Sequence, residues 1–152
     1  MKIEIPKRTD FSRITEIVSQ VQNQHIEYRP DIFKPCEFPI SFDDFNSMIL
    51  KKEIFVYKND EMILGYIALK VLEKNSYVTY NHKTLLVDML VVDKNHHNKG
   101  IGQTLMNFAK DKAKELHCTA LELTVSPENI AAIKFYEKQN MKQKTIKYSM
   151  YI

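Results

Sequence analysis

The residues His97-Asn98-Lys99-Gly100-Ile101-Gly102 stand between an apolar run that reads as a strand and a periodic apolar run that reads as a helix. This is an anion-binding design. Glycine lets the backbone approach a ligand closely, and successive amides at a helix N-terminus point at it with the helix dipole behind them. A pyrophosphate fits such a loop, with Lys99 or His97 as an ancillary cation; a plain strand-to-helix turn would place its glycines the same way. Just upstream, Leu85 to Val92 is apolar except at Asp88. A lone acid in such a run is either a partly desolvated working carboxylate or a structural acid paired with a lysine or a backbone amide. Further along, Asn129, Ala132, Phe135 and Tyr136 share one short helical segment.

Elements must position these groups. Lys2 to Pro6 reads as a first strand, and Asp10 can cap a helix whose apolar positions Ile14, Ile17, Val18 and Val21 follow the helical period. Three prolines make Tyr28 to Pro39 irregular, and Ser41 can cap a second helix with Asp43 and Asp44 in its first turn. Strands Ile54 to Lys58 and Met62 to Leu72 join through Asn59-Asp60-Glu61. The loop from Tyr77 to His82 leads to Leu85 to Val92, whose two apolar faces predict a central strand. After Gly100 a helix carries Ile101, Leu105, Phe108, Ala109, Ala113 and Leu116 inward; Thr119 to Val125 is a strand. Ser126-Pro127 should open the last helix as N-cap and first helical residue, with a left-handed Asn140 ending it. Met141 to Ile152 alternates enough for one or two closing strands.

Composition excludes several classes. The 152 residues hold three glycines, and Leu105 stands where a Rossmann fingerprint needs its third; no glycine pair has the P-loop spacing. Two cysteines cannot build a disulfide framework, and MKIEIPKRTD has no signal-like apolar stretch, so a cytoplasmic location is expected. The apolar run broken by Asp88 is too short for a membrane span. A net charge of +3 is too mild to argue for nucleic acid. Its distribution is uneven: residues 1–92 carry 12 basic and 13 acidic side chains, residues 93–152 carry 10 and 6. The basic part suits an anionic ligand and the acidic part a cationic one, although ordinary scatter gives the same numbers. His96-His97 lacks a third ligand at metal spacing, so no metal is expected.

Together, His97-Asn98-Lys99-Gly100-Ile101-Gly102 and Asn129-Ile-Ala-Ala132-Ile-Lys-Phe135-Tyr136 resemble the GNAT superfamily of acetyl-coenzyme A-dependent N-acetyltransferases, over about Leu85 to Met141. That family shows Arg/Gln-x-x-Gly-x-Gly/Ala after its fourth strand and Asn-x-x-Ala-x-x-Phe/Leu-Tyr near the following helix. Here His97 replaces the Arg or Gln, and Asn140-Met141 the frequent Gly-Phe. The resemblance implies an α/β fold with a central mixed, mostly antiparallel, twisted sheet of 6–7 strands and about four helices. It implies one domain over 1–152, with acceptor-side helices about 10–51 and an acetyl-CoA-binding core about 84–141.

The resemblance also implies roles. Pantetheine would lie along Leu90, Val91 and Val92 as an added strand, one amide there polarising the thioester carbonyl. Pyrophosphate would lie on the amides of Asn98, Lys99, Gly100, Ile101, Gly102 and Gln103, with His97 beside it, and Asn129 would hold the cofactor arm. Asn129 as a first-turn helix residue is the equal alternative. Asp88 would be the base that takes the amine proton, and Tyr136 the acid that protonates the leaving thiolate and touches the cofactor. His25, Glu27, Tyr28 and Asp31, from the first helix and the loop after it, are the expected acceptor contacts. The expected reaction moves acetyl from acetyl-CoA to a primary amine of a small molecule or peptide by direct attack in a ternary complex. The alternatives are a non-catalytic coenzyme A-binding or interaction domain, and a protein N-terminal or lysine acetyltransferase. No nucleic-acid or membrane partner is expected. A homodimer is left open.

Overall fold

The computed structural model describes residues 1–152. One five-stranded sheet runs in the order β1-β2-β3-β4-β5, with β1 Lys2–Glu4, β2 Ile54–Asn59, β3 Met62–Lys74, β4 His82–Val92 and β5 Ala120–Leu123. The first three pairings are antiparallel and β4–β5 is parallel. Four helices flank it: α1 Phe11–Tyr28, α2 Phe42–Leu50, α3 Ile101–Glu115 and α4 Ile130–Lys138. The mixed, mostly antiparallel sheet with four helices is the architecture expected, and β4, which carries the apolar Leu85–Val92 run, lies between β3 and β5 as far as Val87.

The strand count differs. Five strands form instead of six or seven, because residues 141–152 join no ladder despite their alternation. A period-two pattern makes a segment fit for pairing, but a strand also needs an edge that it reaches in register.

The helices form where caps and apolar stripes agree. Ser41 Oγ accepts the Asp44 amide at 3.1 Å, as a helix-opening serine should. Ile14, Ile17 and Val18 of α1 pack with Phe45 of α2 and with Ile54, Val56, Tyr66 and Val91 on one face of the sheet. Leu105, Ala109 and Ala113 of α3 pack with Phe55, Ile67, Leu85 and Val87 on the other. The alternation of strand side chains thus feeds two cores, and β3 and β4 serve both.

Helix α4 opens three residues later than expected. Its N-cap is Asn129, whose Oδ1 accepts the Ala132 amide at 3.1 Å, while Ser126 Oγ donates to the Glu128 carboxylate in the preceding turn. Its end follows the sequence: Asn140 sits at φ 62°, the left-handed conformation asparagine tolerates.

Candidate active site

The parallel ladder between β4 and β5 stops at Val87 and Leu123, whereas β4 stays paired with β3 as far as Val92. Beyond Val87 one edge of β4 is therefore open. The amide of Asp93 donates to Leu64 O on β3 at 2.9 Å. Strand alternation then points the polar groups of Leu90 and Val92 into the opening. The Val92 carbonyl is already used there: the His97 ring, through Nε2, donates to it at 2.9 Å. Leu90 keeps both its N–H and its C=O on the open edge.

Asp88 owes its position to a bulge. Ala68 faces Met89 and Leu69 faces Val87, so Asp88 is the extra residue with no partner on β3. The bulge turns the carboxylate out beside Lys70, whose Nζ lies 2.8 Å from Oδ2. The Asp88 side chain is 43% exposed. Burial, and then the negative charge of Asp88, push the phenol of Tyr66 upward in pKa. Tyr66 belongs to the core on the α1/α2 face, so Asp88 lies on that face.

The loop from β4 to α3 is pinned from below. Asp93 is buried, accepts the Asn95 amide at 3.1 Å and pairs with Arg13 of α1, which also donates to Ile63 O. Burial alone would raise the Asp93 pKa, but the Asn95 amide and the Arg13 guanidinium outweigh it and hold the carboxyl below its ordinary value. Asn98 at φ 60° and Gly100 at φ 77° are both left-handed. That turn presents the first amides of α3, those of Ile101, Gly102 and Gln103, which have no intrahelical acceptor. A Cβ on Gly102 would meet the Phe135 ring at 3.4 Å and Val92 at 3.8 Å, so α4 closes tightly over this helix start.

The side chains expected around the cofactor mostly have protein partners. Gln103 Nε2 donates to Gln139 Oε1 at 2.7 Å, tying α3 to α4, and the Asn129 Oδ1 caps α4. What the loop offers an anion is backbone amides, with the exposed Lys99 beside them. Tyr136 rests against Phe135 with ring centroids 5.3 Å apart, and burial pushes its phenol pKa up.

No hydrogen bond or ion pair joins the four residues expected at the acceptor side to one another. Asp31 accepts two bonds from Arg29, at 2.9 and 2.7 Å, and one from the Tyr151 hydroxyl at 2.6 Å. Arg29 and then Tyr151 hold its carboxyl far below the ordinary range. Glu128 is lowered chiefly by Ser126 and also feels Arg29 and Asp31, so the end of α1 stands beside the turn that follows β5. The His25 ring lies tilted against Phe33 with centroids 4.8 Å apart, and burial lowers its pKa; Tyr28 accepts from Gln24 at 2.9 Å; Glu27 is exposed. Lys70, Tyr66 and Tyr151 carry no sequence signal, because each acquires its role from a neighbour at least 18 positions away or from burial. An open cavity of about 810 Å³ lies on the other flank of the loop, lined among others by Arg13, Asn59, Ile63, His96, Lys99 and Ile101.

The two parallel strands, β4 and the edge strand β5, thus part beside an amide-rich helix start. The model of the acetyltransferase (GNAT) family matches residues 18–141, and the chain belongs to that family. An uncharacterised Bacillus subtilis protein, YdhI, is 34% identical over 62 residues, covering 41% of this chain and 39% of its own length. The chain thus matches well under half of that curated relative. A mutant of the BH1408 protein from Bacillus halodurans superposes with a TM-score of 0.95 at 22% identity, over 100% of this chain and 99% of that one. An aminoglycoside N-acetyltransferase solved with CoA has a TM-score of 0.71 at 12% identity, over 99% and 100%. Glucosamine-6-phosphate N-acetyltransferase from Arabidopsis thaliana has 0.69 at 21% identity, over 99% and 97%. At these identities the likeness is one of fold. No helix is long and apolar enough to cross a membrane.

Proposed function

We propose that this chain moves acetyl from acetyl-CoA to a primary amine by direct attack within a ternary complex. The observation that carries this reading is the open edge of β4 beyond Val87, with the Leu90 N–H and C=O free and the left-handed Asn98–Gly100 turn at its end. Acetyl-CoA supplies the activated acyl group and a thiol leaving group. The residues fit it: the open edge takes an extended amide-bearing arm as an added strand, and the amides of Asn98 to Gln103, with Lys99, take pyrophosphate. Gly102 matters because a side chain there would fill the space under Phe135. Leu90 N–H is the donor for a carbonyl oxygen in the opening.

An alkylamine has a pKa near ~10.4 and reaches the site protonated. Asp88 already holds one ammonium, that of Lys70, at 2.8 Å; the acceptor's ammonium takes that place and gives up its proton, directly or through water. Tyr136 donates the proton to the departing thiolate, and its raised pKa keeps it in the acid form at neutral pH. His25, Glu27, Tyr28 and Asp31 form the acceptor side, with Arg29 and Tyr151 ordering Asp31.

A screen of primary amines, small and peptidic, followed by free thiol, tests this. Amine-dependent thiol release supports transfer, and the amine preferred separates small molecules from peptides. Acetyl-CoA binding without thiol above background would make the chain a coenzyme A-binding module.

A further inference from the structure

We propose that the chain acetylates its own Lys70, and that this modification uncovers Asp88 for the external amine. This rests on the transfer to primary amines proposed above and adds an internal acceptor to it. Lys70 Nζ lies 2.8 Å from Asp88 Oδ2, its one hydrogen-bond partner. A lysine is itself a primary alkylamine, so the fold already holds an acceptor's chemical group on the carboxylate read as the base. The arm also runs the right way. Lys70 faces Leu86 in the ladder, yet its ammonium reaches Asp88, two residues further along β4 towards Leu90. Leu90 lies two residues past Asp88, or roughly 7 Å at ~3.3–3.4 Å per residue. A flexible four-carbon stem spans that distance once its ion pair opens. Nothing locks the pair, because the two side chains are 42% and 43% exposed. Other lysines are engaged elsewhere: Lys58 is buried against Glu4 and Asp10, and Lys144 is on Glu122.

The step needs no reactant beyond acetyl-CoA. Asp88 takes one proton from the Lys70 ammonium and passes it to solvent, and the freed amine attacks the thioester carbonyl carbon. The C–N bond forms, then the C–S bond breaks, and Tyr136 gives its proton to the departing thiolate. A second proton leaves the nitrogen as the intermediate collapses and, through solvent, replaces the one Tyr136 gave. The products are acetylated Lys70, free coenzyme A thiol and one proton. Each chain consumes one acetyl group in this way. Acetylation removes the positive charge, so the side chain no longer pairs with Asp88 or competes with an acceptor's ammonium for it. Before that event the bond to Asp88 holds the Lys70 pKa above its ordinary value. Free amine is then scarce at this lysine, and uncatalysed acetylation should be slower here than at exposed lysines.

The test incubates the full chain with acetyl-CoA and no amine, and follows each lysine-bearing peptide by mass, beside the amine screen described above. Lys70 should gain one acetyl group at least ~10-fold faster than Lys114, a lysine 79% exposed whose reaction measures the uncatalysed background. Its rate constant should not depend on chain concentration. In Asp88→Asn the Lys70 rate should fall to that background. Towards the external amine, Lys70→Gln is neutral like the acetylated side chain and should show a KM several-fold below that of Lys70→Arg, which keeps the cation. Wild-type chain pre-incubated with acetyl-CoA should match Lys70→Gln. Acetylation of external amines with Lys70 unmodified, or modified no faster than Lys114, would overturn self-acetylation and leave the proposed function standing. A rate that rises with chain concentration, or that survives in Asp88→Asn, would overturn it too. Equal KM values in the two Lys70 variants would overturn the uncovering of Asp88. Lys70 unmodified together with no thiol from any amine would overturn the proposed function as well.

Discussion

The Lys70 ammonium lies 2.8 Å from the Asp88 carboxylate, across a bulge that leaves Asp88 without a partner on β3. One structural device thus delivers a carboxylate to the surface beside the open edge of β4 and shows it binding a primary ammonium. The pair is half in solvent, so it contributes little to stability, ~0–1 kcal/mol. Its value lies in recognition.

With Asp88 as the base, Asp88→Asn lowers turnover by roughly 10²–10⁴ at neutral pH and leaves acetyl-CoA affinity nearly unchanged. The defect shrinks as pH rises towards the amine's pKa of ~10.4, where free amine no longer needs a base. Steady-state rates from pH 6 to 10 check this; a uniform defect would return Asp88 to a purely structural pairing with Lys70.

Gly100 sits at φ +77° with no atom within 4 Å of where a Cβ would stand, so a side chain there costs backbone strain and not a clash. Gly100→Val should cost ~1–2 kcal/mol of stability for the left-handed conformation. Acetyl-CoA binding should weaken at least ~10-fold, about 1.4 kcal/mol. Calorimetry on the folded variant decides; unchanged affinity would remove the phosphate role of this turn.

Tyr136→Phe keeps the ring against Phe135 and removes the proton donor. Turnover should fall roughly 10–10³-fold, at or below the usual range for general acid catalysis. Burial raises the tyrosine's pKa, so the wild-type chain loses this contribution only as pH climbs through that raised value. The variant should lack that alkaline limb, which a rate–pH profile would show.

Much of this was legible in the sequence, and the rest was not for identifiable reasons. Asp88 stood out as the one acid in an apolar run, Gly100 because glycine lets the backbone approach a ligand closely, and Asn140 because asparagine tolerates a left-handed backbone. Lys70 was invisible: which β3 residue faces Asp88 depends on a bulge, and register is not written in either strand alone. Asn129 was seen both as a ligand group and as a helix residue, and its Oδ1 is the α4 cap, because Pro127 opens a turn here and not the helix. Met141 to Ile152 alternates but joins no ladder, because a period-two pattern fits a segment for pairing without supplying an edge in register.

Asp93 links α1 to the loop beneath the proposed site. Its carboxyl is held below its ordinary pKa, so its contribution to stability is present above the unfolded value near ~3.9 and is lost as pH falls through the folded one. Arg13→Ala should cost about 2–3 kcal/mol, under the ~3–5 of a fully buried pair because Arg13 keeps a third of its side chain exposed. Its acid-unfolding midpoint should move to higher pH, as circular dichroism along a pH titration would record.

Initial rates over a two-dimensional grid of acetyl-CoA and the preferred amine, with thiol and acetylated amine both counted, test transfer in a ternary complex most directly. Intersecting reciprocal plots with one thiol per acetylated amine are the result expected of Asp88 and Tyr136 acting on both substrates together. Parallel plots, or thiol released without acetylated amine, would contradict it.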